Sequence, residues 1–567
     1  MCCAVALVIK PILEDFMKNN HMFSMIPRAD IQRSVFDRSH TYKTTFDSGL
    51  LIPFMVDEVL PGDSFKVDVS YLARLATPVV PVMDDLYVDT FFFAVPCRLL
   101  WSNWQRFMGE EIYPGASTDF LVPQSNSGTT GWSVGSFEDY VGLPTEVANV
   151  KANELFARAY ALIWNEWFRD ENLQNPINLS TFEEVDSPDD LDSTGLGDSG
   201  FTGSHKLLRR GKRHDYFTSA LPWPQKGPGV ELPLGAVANI SGKATLDNIP
   251  VSRLSFSVID SEADRNSGSA DFLSTGTGSF SLGNGTVGNI SAKRNGFASI
   301  SDVGIKGLTA DLSSATAATI NSLRQAFQLQ RLYERDARGG SRYTEILRSH
   351  FGVVSPDSRL QRPEYLGGSE SRLVINPVVQ NSATQNDKTP QGNLAAFGIS
   401  ASSGHGFTKS FVEHSIVIGL VNVRAPLSYQ QGINRMFNRR TRYDYYWPVL
   451  AHLGEQEILN KEIYAQGNSQ DEEVFGYQER YAEYRYFPNM ITGKFRSTYK
   501  QSLDFWHLAQ KFENLPKLND EFIKDNPPIS RIVAVPSEPQ FVFDSYIRMK
   551  CARPMPVYSV PGLVDHF

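Results

Sequence analysis

The chain is poor in cysteine. Of 567 residues only Cys2, Cys3, Cys97 and Cys551 are cysteines. Two are adjacent, two are isolated, and no CxxC pair exists. That spacing excludes a zinc ribbon or a disulfide scaffold and fits folding in a reducing compartment. No hydrophobic run reaches the roughly 20 residues that a membrane helix needs. The N-terminal "MCCAVALVIKPILEDF" is short and has no basic leader or clear cleavage signal, so neither a secretory signal nor membrane insertion is expected. Positive charge is not in excess. With 54 Lys plus Arg against 63 Asp plus Glu the net charge is −9, which excludes wrapping of nucleic acid by bulk charge. The ten histidines are scattered, without HxxxH spacing or a Cys/His cluster, and no Walker loop is present. Neither a metal site nor a cofactor site is expected.

What remains is a chain too long for one compact core, with 41% apolar residues. Several domains, or one domain with long insertions, are expected. Strand signals are clear at both ends. In "FKVDVSYLARL", Phe65, Val67, Val69 and Tyr71 alternate with Lys66, Asp68 and Ser70, the period of a strand with one buried face. "LLIPFMVDEVLPGD" before it reads as a strand closed by a Pro-Gly turn. "LYVDTFFFAVP" and "SIVIGLVNV" are nearly all apolar, as strands buried on both faces are. Near the C-terminus Phe541, Phe543, Ile547, Met549 and Cys551 share one side of an alternating strand. Two helices stand out between these ends. Ala152, Leu155, Phe156, Ala159, Ile163 and Trp167 form one stripe, and Ile320, Leu323 and Phe327 another, which stops at Gly339-Gly340.

Residues 231–310 hold 24 Gly plus Ser and no Trp or Tyr. "LSFSV" alternates within them, so they read as a β-rich surface excursion that leaves after "LPWPQKGPG" and returns before Thr319. A flexible loop is the plainer reading. "GNGTVG", with Gly283, Gly285 and Gly288, lacks a βαβ context, and "GDSG" at Gly197 to Gly200 lacks triad partners; both read as chance matches. "DSPDDLD", Asp186 to Asp192, has Leu191 and Gly197 where a calcium loop needs Gly and Glu, so a solvated acidic loop is expected.

Two clusters suggest binding. "KLLRRGKRHDYF" groups Lys206, Arg209, Arg210, Lys212 and Arg213, a patch suited either to phosphate or to acidic residues across a subunit interface. "RMFNRRTRYDYYWP", Arg435 to Pro448, puts four arginines and five aromatic side chains into fourteen residues. Guanidinium groups grip phosphate and aromatic rings stack on unpaired bases, the chemistry of single-strand binding. The alternative is that Phe437, Tyr445 and Trp447 serve a core or an interface while the arginines fix neighbouring acids.

Several segments together carry a more specific signal: "IPRADIQRSVFDRSHTYKTTFDSGLLIPF", "VDTFFFAVPCRLLW", "DYFTSALPWPQKG", "NSLRQAFQLQRLYERDARGGSRYTEIL", "NRRTRYDYYWP" and "FGYQERYAEYRYFPNMITGKFRS". In this order they resemble the major capsid proteins of the gokushoviruses, a branch of the Microviridae with circular single-stranded DNA. The similarity runs from about Ile26 to the C-terminus outside 231–310. Residues 1–21 match nothing in it, and Met22 is an alternative start.

The resemblance implies a mainly β fold, an eight-stranded viral jelly-roll barrel with long insertions, some helices and a β-rich surface protrusion. It divides the chain into an N-terminal arm (1–39), a discontinuous core (40–230 and 311–567) and the protrusion (231–310). It also implies a T=1 icosahedral shell of sixty copies around the genome, with virion localisation and assembly in the bacterial cytoplasm. Implied partners are the DNA, a small basic internal DNA-binding protein, a scaffolding and a pilot protein during assembly, and a host-surface receptor met by the protrusion. Some of Arg435, Arg439, Arg440 and Arg442 would then face the DNA, with Lys494 and Arg496 in "TGKFRS" as further candidates. No catalysis is implied. The competing class is a carbohydrate-binding protein or glycoside hydrolase, for which Glu479 and Glu483 in "YQERYAEYRY" are the best carboxylate pair.

Overall fold

The structure is a computed structural model that describes residues 32–558, apart from 186–195, 199, 341, 383–390 and the segments of 231–319 outside its strands. The arm up to residue 31, the acidic cluster and "GNGTVG" lie outside the described residues. The chain forms two compact units. One comprises Met1–Lys226 with Glu334–Phe567, the other Gly227–Tyr333.

The first unit is built on an antiparallel sheet of nine strands: β1 (Ser34–Asp37), β2 (His40–Phe46), β3 (Ile52–Val59), β4 (Ser64–Leu75), β5 (Leu86–Pro96), β6 (Glu364–Val379), β7 (Leu394–Ser410), β8 (Ser415–Arg424) and β9 (Phe541–Arg553). The spatial order is β1-β9-β4-β7-β6-β5-β8-β3, with β2 also on β9. Two runs of four, β2-β9-β4-β7 and β6-β5-β8-β3, are thus joined through the β6–β7 pair. This is the strand order of the expected eight-stranded jelly roll, with β1 as an addition at the edge. Ser34 to Asp37, within the segment read from sequence as an arm, pair with β9, Ser34 with Arg553 and Asp37 with Lys550.

The curl of the sheet encloses one apolar cluster. In β9, Phe541, Phe543, Ile547, Met549 and Cys551 are all buried, as their alternation requires. Phe543 meets Phe46, Phe54 and Tyr71 with ring centroids 6.1, 5.8 and 5.4 Å away. The predicted Pro-Gly turn after β3 is present: Gly62 has φ +91°, a conformation that disfavours any side chain. Asp63 beside it is buried and ion-pairs with Arg553 at 3.1 Å.

Burial on both faces of β5 and β8 has a simple cause. Val417, Val421 and Val423 point into the barrel. Ile416, Ile418 and Leu420 pack instead in a second cluster with α1 (Leu155–Ile163). This helix belongs to the long insertion between β5 and β6. It continues into a π-turn at Trp164–Phe168. Its sequence stripe is corrected at one end: Ala152 sits in a short strand opposite Ser125. Tyr160 is fully buried, donates to the Leu51 carbonyl at 2.8 Å and accepts the Leu208 N–H at 2.9 Å. A buried charged group lies nearby. His205 Nδ1 bonds Glu138, and its Nε2 lies 3.3 Å from Glu154.

In the second unit the excursion is built from nested antiparallel pairs. Asn239–Ser241 pairs with Thr309–Asp311, and Thr245–Leu246 with Ile305–Lys306. Inside them lies a four-stranded sheet of Ala270–Phe272, Leu254–Val258, Ile290–Arg294 and Ala298–Ser299, in that spatial order. The outgoing and returning chain therefore lie side by side. The helix α2 (Ile320–Gly339) forms where its stripe predicts, but Phe327 is 65% exposed.

Candidate nucleic-acid interface

The arginine-rich segment lies in the long connection between β8 and β9. It is not a strand or a long helix. Three 3-10 turns, Arg435–Phe437, Arg442–Asp444 and Pro448–Leu450, shape it. Asn434 caps the first by accepting the Met436 N–H at 3.0 Å. Asp444 fixes the second, accepting the N–H groups of Arg440 and Thr441 at 2.8 and 2.7 Å. Those hydrogen bonds hold its carboxyl below the usual carboxylate range.

The four arginines divide into two pairs. Arg435 donates to Glu462 at 2.9 Å and to the Glu457 carbonyl at 2.6 Å. Arg439 donates to Glu483 at 3.3 Å and lies 4.3 Å over the Tyr484 ring. Both are half-buried and their charge is met by the chain's own carboxylates. Of the four arginines expected to include DNA-facing groups, these two are therefore engaged within the subunit.

Arg440 and Arg442 are exposed. Arg442 lies 4.7 Å over the Tyr443 ring, and Trp447 Nε1 donates to the Arg442 carbonyl at 2.7 Å. Lys494 is exposed 5.9 Å from the Tyr499 ring, and Arg496 is exposed while donating to the Gln430 carbonyl at 3.0 Å. A cavity of about 650 Å³ brings Phe437 and Arg496 onto one wall with Phe487 and Met490. The two sequence segments are therefore neighbours in space. The aromatic residues do not enter the core of the subunit. Phe437 is 74% exposed and Trp447 48%, with Tyr443, Tyr445 and Tyr446 similar. Phe487, Met490 and Tyr499 extend this surface; sequence reading missed them, although "RYFPNM" carries the same aromatic signal.

The second basic cluster has another role. Arg210 pairs with Asp89 and lies 4.7 Å over Phe91. Arg213 pairs with Glu370 at 2.7 Å. Arg209 donates to the Asp525 carbonyl at 3.0 Å. Lys212 is buried, donates to Gln510 at 3.2 Å and lies 4.2 Å over the Phe522 ring. Burial lowers the Lys212 ammonium to about 8 and raises the Asp525 carboxyl to about 7. For Arg210 and Arg213 the structure shows acids of the same chain, Asp89 from β5 and Glu370 from β6. Lys206 is exposed.

The hydrolase pair also fails. Glu479 is ion-paired with Arg485, and Glu483 is held by Arg439 and Gln456. Both carboxylates are met by cations of the chain itself. Asp198 of "GDSG" accepts from Trp101 Nε1 at 2.6 Å and Asn103 Nδ2 at 3.0 Å, a structural role.

Residues 24–563 match the family of the phage capsid protein known as F protein. The chain belongs to that family. It is 47% identical to the capsid protein VP1 of Chlamydia phage 1 across 97% of this chain and 98% of that protein. It is 46% identical to VP1 of Bdellovibrio phage phiMH2K, across 97% and 99%, and 39% identical to VP1 of Spiroplasma virus 4, across 96% and 97%. The gokushovirus resemblance read from the motifs is thereby established. This phage capsid protein is a structural component of a virion, not an enzyme. None of its described helices is long and apolar enough to cross a membrane.

Proposed function

We propose that sixty copies of this capsid protein form a T=1 shell around a circular single-stranded DNA genome, with Arg440, Arg442, Lys494 and Arg496 on the genome side. The observation that carries this reading is the separation of the arginines. Arg435 and Arg439 are neutralised internally, whereas Arg440 and Arg442 are exposed and their guanidinium groups meet no carboxylate among the described residues, beside exposed Tyr443, Tyr446 and Trp447. Guanidinium and ring faces together suit an unpaired strand. Rings beyond the reach of DNA suit neighbouring subunits, because aromatics and arginine are enriched in the centres of protein interfaces. The net charge of −9 calls for counter-charge from a basic internal protein. Assembly in the host cytoplasm with scaffolding and pilot proteins belongs to the same reading.

The excursion 231–310 is the element for host contact. Its strands pair mainly with one another, so its loops can vary without disturbing the β-sheet of the core. Arg440→Ala with Arg442→Ala tests the DNA assignment. Shells should form with less DNA per particle, read from the ratio of absorbance at 260 and 280 nm. Unchanged DNA content refutes it. Deleting 231–310 should leave shells that no longer adsorb to host cells; full adsorption refutes the host-contact reading.

A further inference from the structure

A cavity of about 1150 Å³ opens beside β5 on the side of the second apolar cluster. It exceeds the roughly 300–1,000 Å³ of ordinary small-molecule sites. Eight arginines and lysines line it against three carboxylates. The acids behind the wall are shared: Asp89 serves both Arg210 and Arg424, the latter at 3.0 Å, and Glu171 serves Arg169 at 3.8 Å and Arg342 at 2.8 Å. Arg348 and His214, also in the lining, make no ion pair among the described residues. The Nε groups of Arg213 and Arg424 are buried without a hydrogen-bond acceptor, and buried donors of that kind call for one. Burial holds the Asp525 carboxyl beneath this wall near 7, so it offsets only part of the charge at neutral pH.

The lining also carries aromatic rings, with the Arg210 guanidinium 4.7 Å over Phe91. Trp167 and Tyr365 meet with centroids 5.7 Å apart, and Phe91 and Phe168 with centroids 5.3 Å apart. Tyr365 is 41% exposed, so its ring is open to a visitor. Fork-shaped donors suit phosphate oxygens, and ring faces suit a planar base.

We propose that this cavity is a nucleotide site. The phosphate lies among Arg213, Arg348 and Arg424, with His214 at hand, and the base lies against Trp167 and Tyr365. The shared chemistry is a phosphate ester on a nucleoside, from a free nucleotide or from one unit of a DNA strand. The proposal rests on this cavity alone and not on the exposed arginines between β8 and β9.

Isothermal titration of the full-length protein at low salt tests it, with 2′-deoxyadenosine 5′-monophosphate as the probe. Deoxyadenosine and inorganic phosphate, each carrying half the chemistry, should bind at least tenfold more weakly. Arg348→Ala combined with His214→Ala should weaken the nucleotide tenfold or more. Both residues are exposed and lack ion pairs among the described residues, so the fold should persist. A thymidine oligonucleotide that displaces the probe supports the site with DNA as its source. One that binds without displacing it supports the site with a free nucleotide as its source. Photocrosslinking of the 8-azido analogue to the unaltered chain gives a second readout, and label in peptides containing Trp167 or Tyr365 supports the site. The proposal is overturned by no binding at millimolar probe, by affinity equal to that of inorganic phosphate, by unchanged affinity in the double variant, or by label found only elsewhere.

Discussion

Replacing Glu483 by glutamine separates arginines that hold the protein from arginines that are free for a ligand. The Glu483 side chain is 7% exposed. It accepts Arg439 Nη2 at 3.3 Å and Gln456 Nε2 at 3.1 Å, and lies 4.0 Å from Arg435. Glutamine keeps the volume and one acceptor oxygen but removes the charge. Arg435 still has Glu462. Arg439 loses its carboxylate and keeps the Asp444 carbonyl at 3.2 Å and the rings of Tyr484 and Tyr445. Breaking a buried ion pair at one partner costs about 3–5 kcal/mol. The remaining ring contacts, worth about 0.5–2 kcal/mol, place the expected loss at about 2–3 kcal/mol. Hydrogen exchange on unassembled subunits reads this locally. Where opening is fast relative to chemical exchange, protected amides in 435–448 should exchange about 30- to 150-fold faster, a factor of ten for each 1.4 kcal/mol. Arg442→Gln, at an exposed site, should change them by less than about twofold. Unchanged exchange in Glu483→Gln would show that Arg439 is not locked by the carboxylate.

His205→Gln should leave Glu138 and Glu154 buried without a cation, at a cost of about 3–5 kcal/mol. Burial lowers the His205 pKa, but the hydrogen bonds that Glu138 and Glu154 accept from it outweigh burial and the folded value is raised above 6.5. Its contribution is then complete below about pH 6.5 and is lost as pH rises through the folded value. Unfolding midpoints across pH should show that loss in the parent chain and not in the variant; parallel curves contradict it. Phe543→Ala, at a site with no exposure, should cost about 3–5 kcal/mol, and a loss under about 1 kcal/mol in urea unfolding would contradict the barrel core. Arg210→Ala should destabilise by about 3 kcal/mol because Asp89 is buried, whereas Lys206→Ala should change stability by less than about 0.5 kcal/mol; equal effects would contradict the internal role of the cluster.

Strands whose apolar pattern is strong were legible from sequence. Phe65 to Tyr71 alternate, and Ser415 to Val423 are buried throughout. The two longest strands, β6 and β7, were not. They carry Gly367, Gly368, Ser369 and Ser371, then Gly398, Ser400, Ser402, Gly404 and Gly406, with Pro377 between, residues of low β propensity. Pairing with β5 and β4 overrides that preference. In the binding segment the composition was legible but the division of its arginines was not. Glu462 and Glu483 come 27 and 44 residues after their partners. Asp89 lies 121 residues before Arg210. Only the folded chain brings such charges together.

The most direct test of the shell account is an electron cryomicroscopy reconstruction of genome-filled particles of this protein. The account predicts closed icosahedral shells about 250–300 Å across, scaled from the chain length, with residues 231–310 outermost and Arg440 and Arg442 on the inner wall against density for DNA. Isolated subunits, or shells with the 435–448 segment on the outer surface, would contradict it.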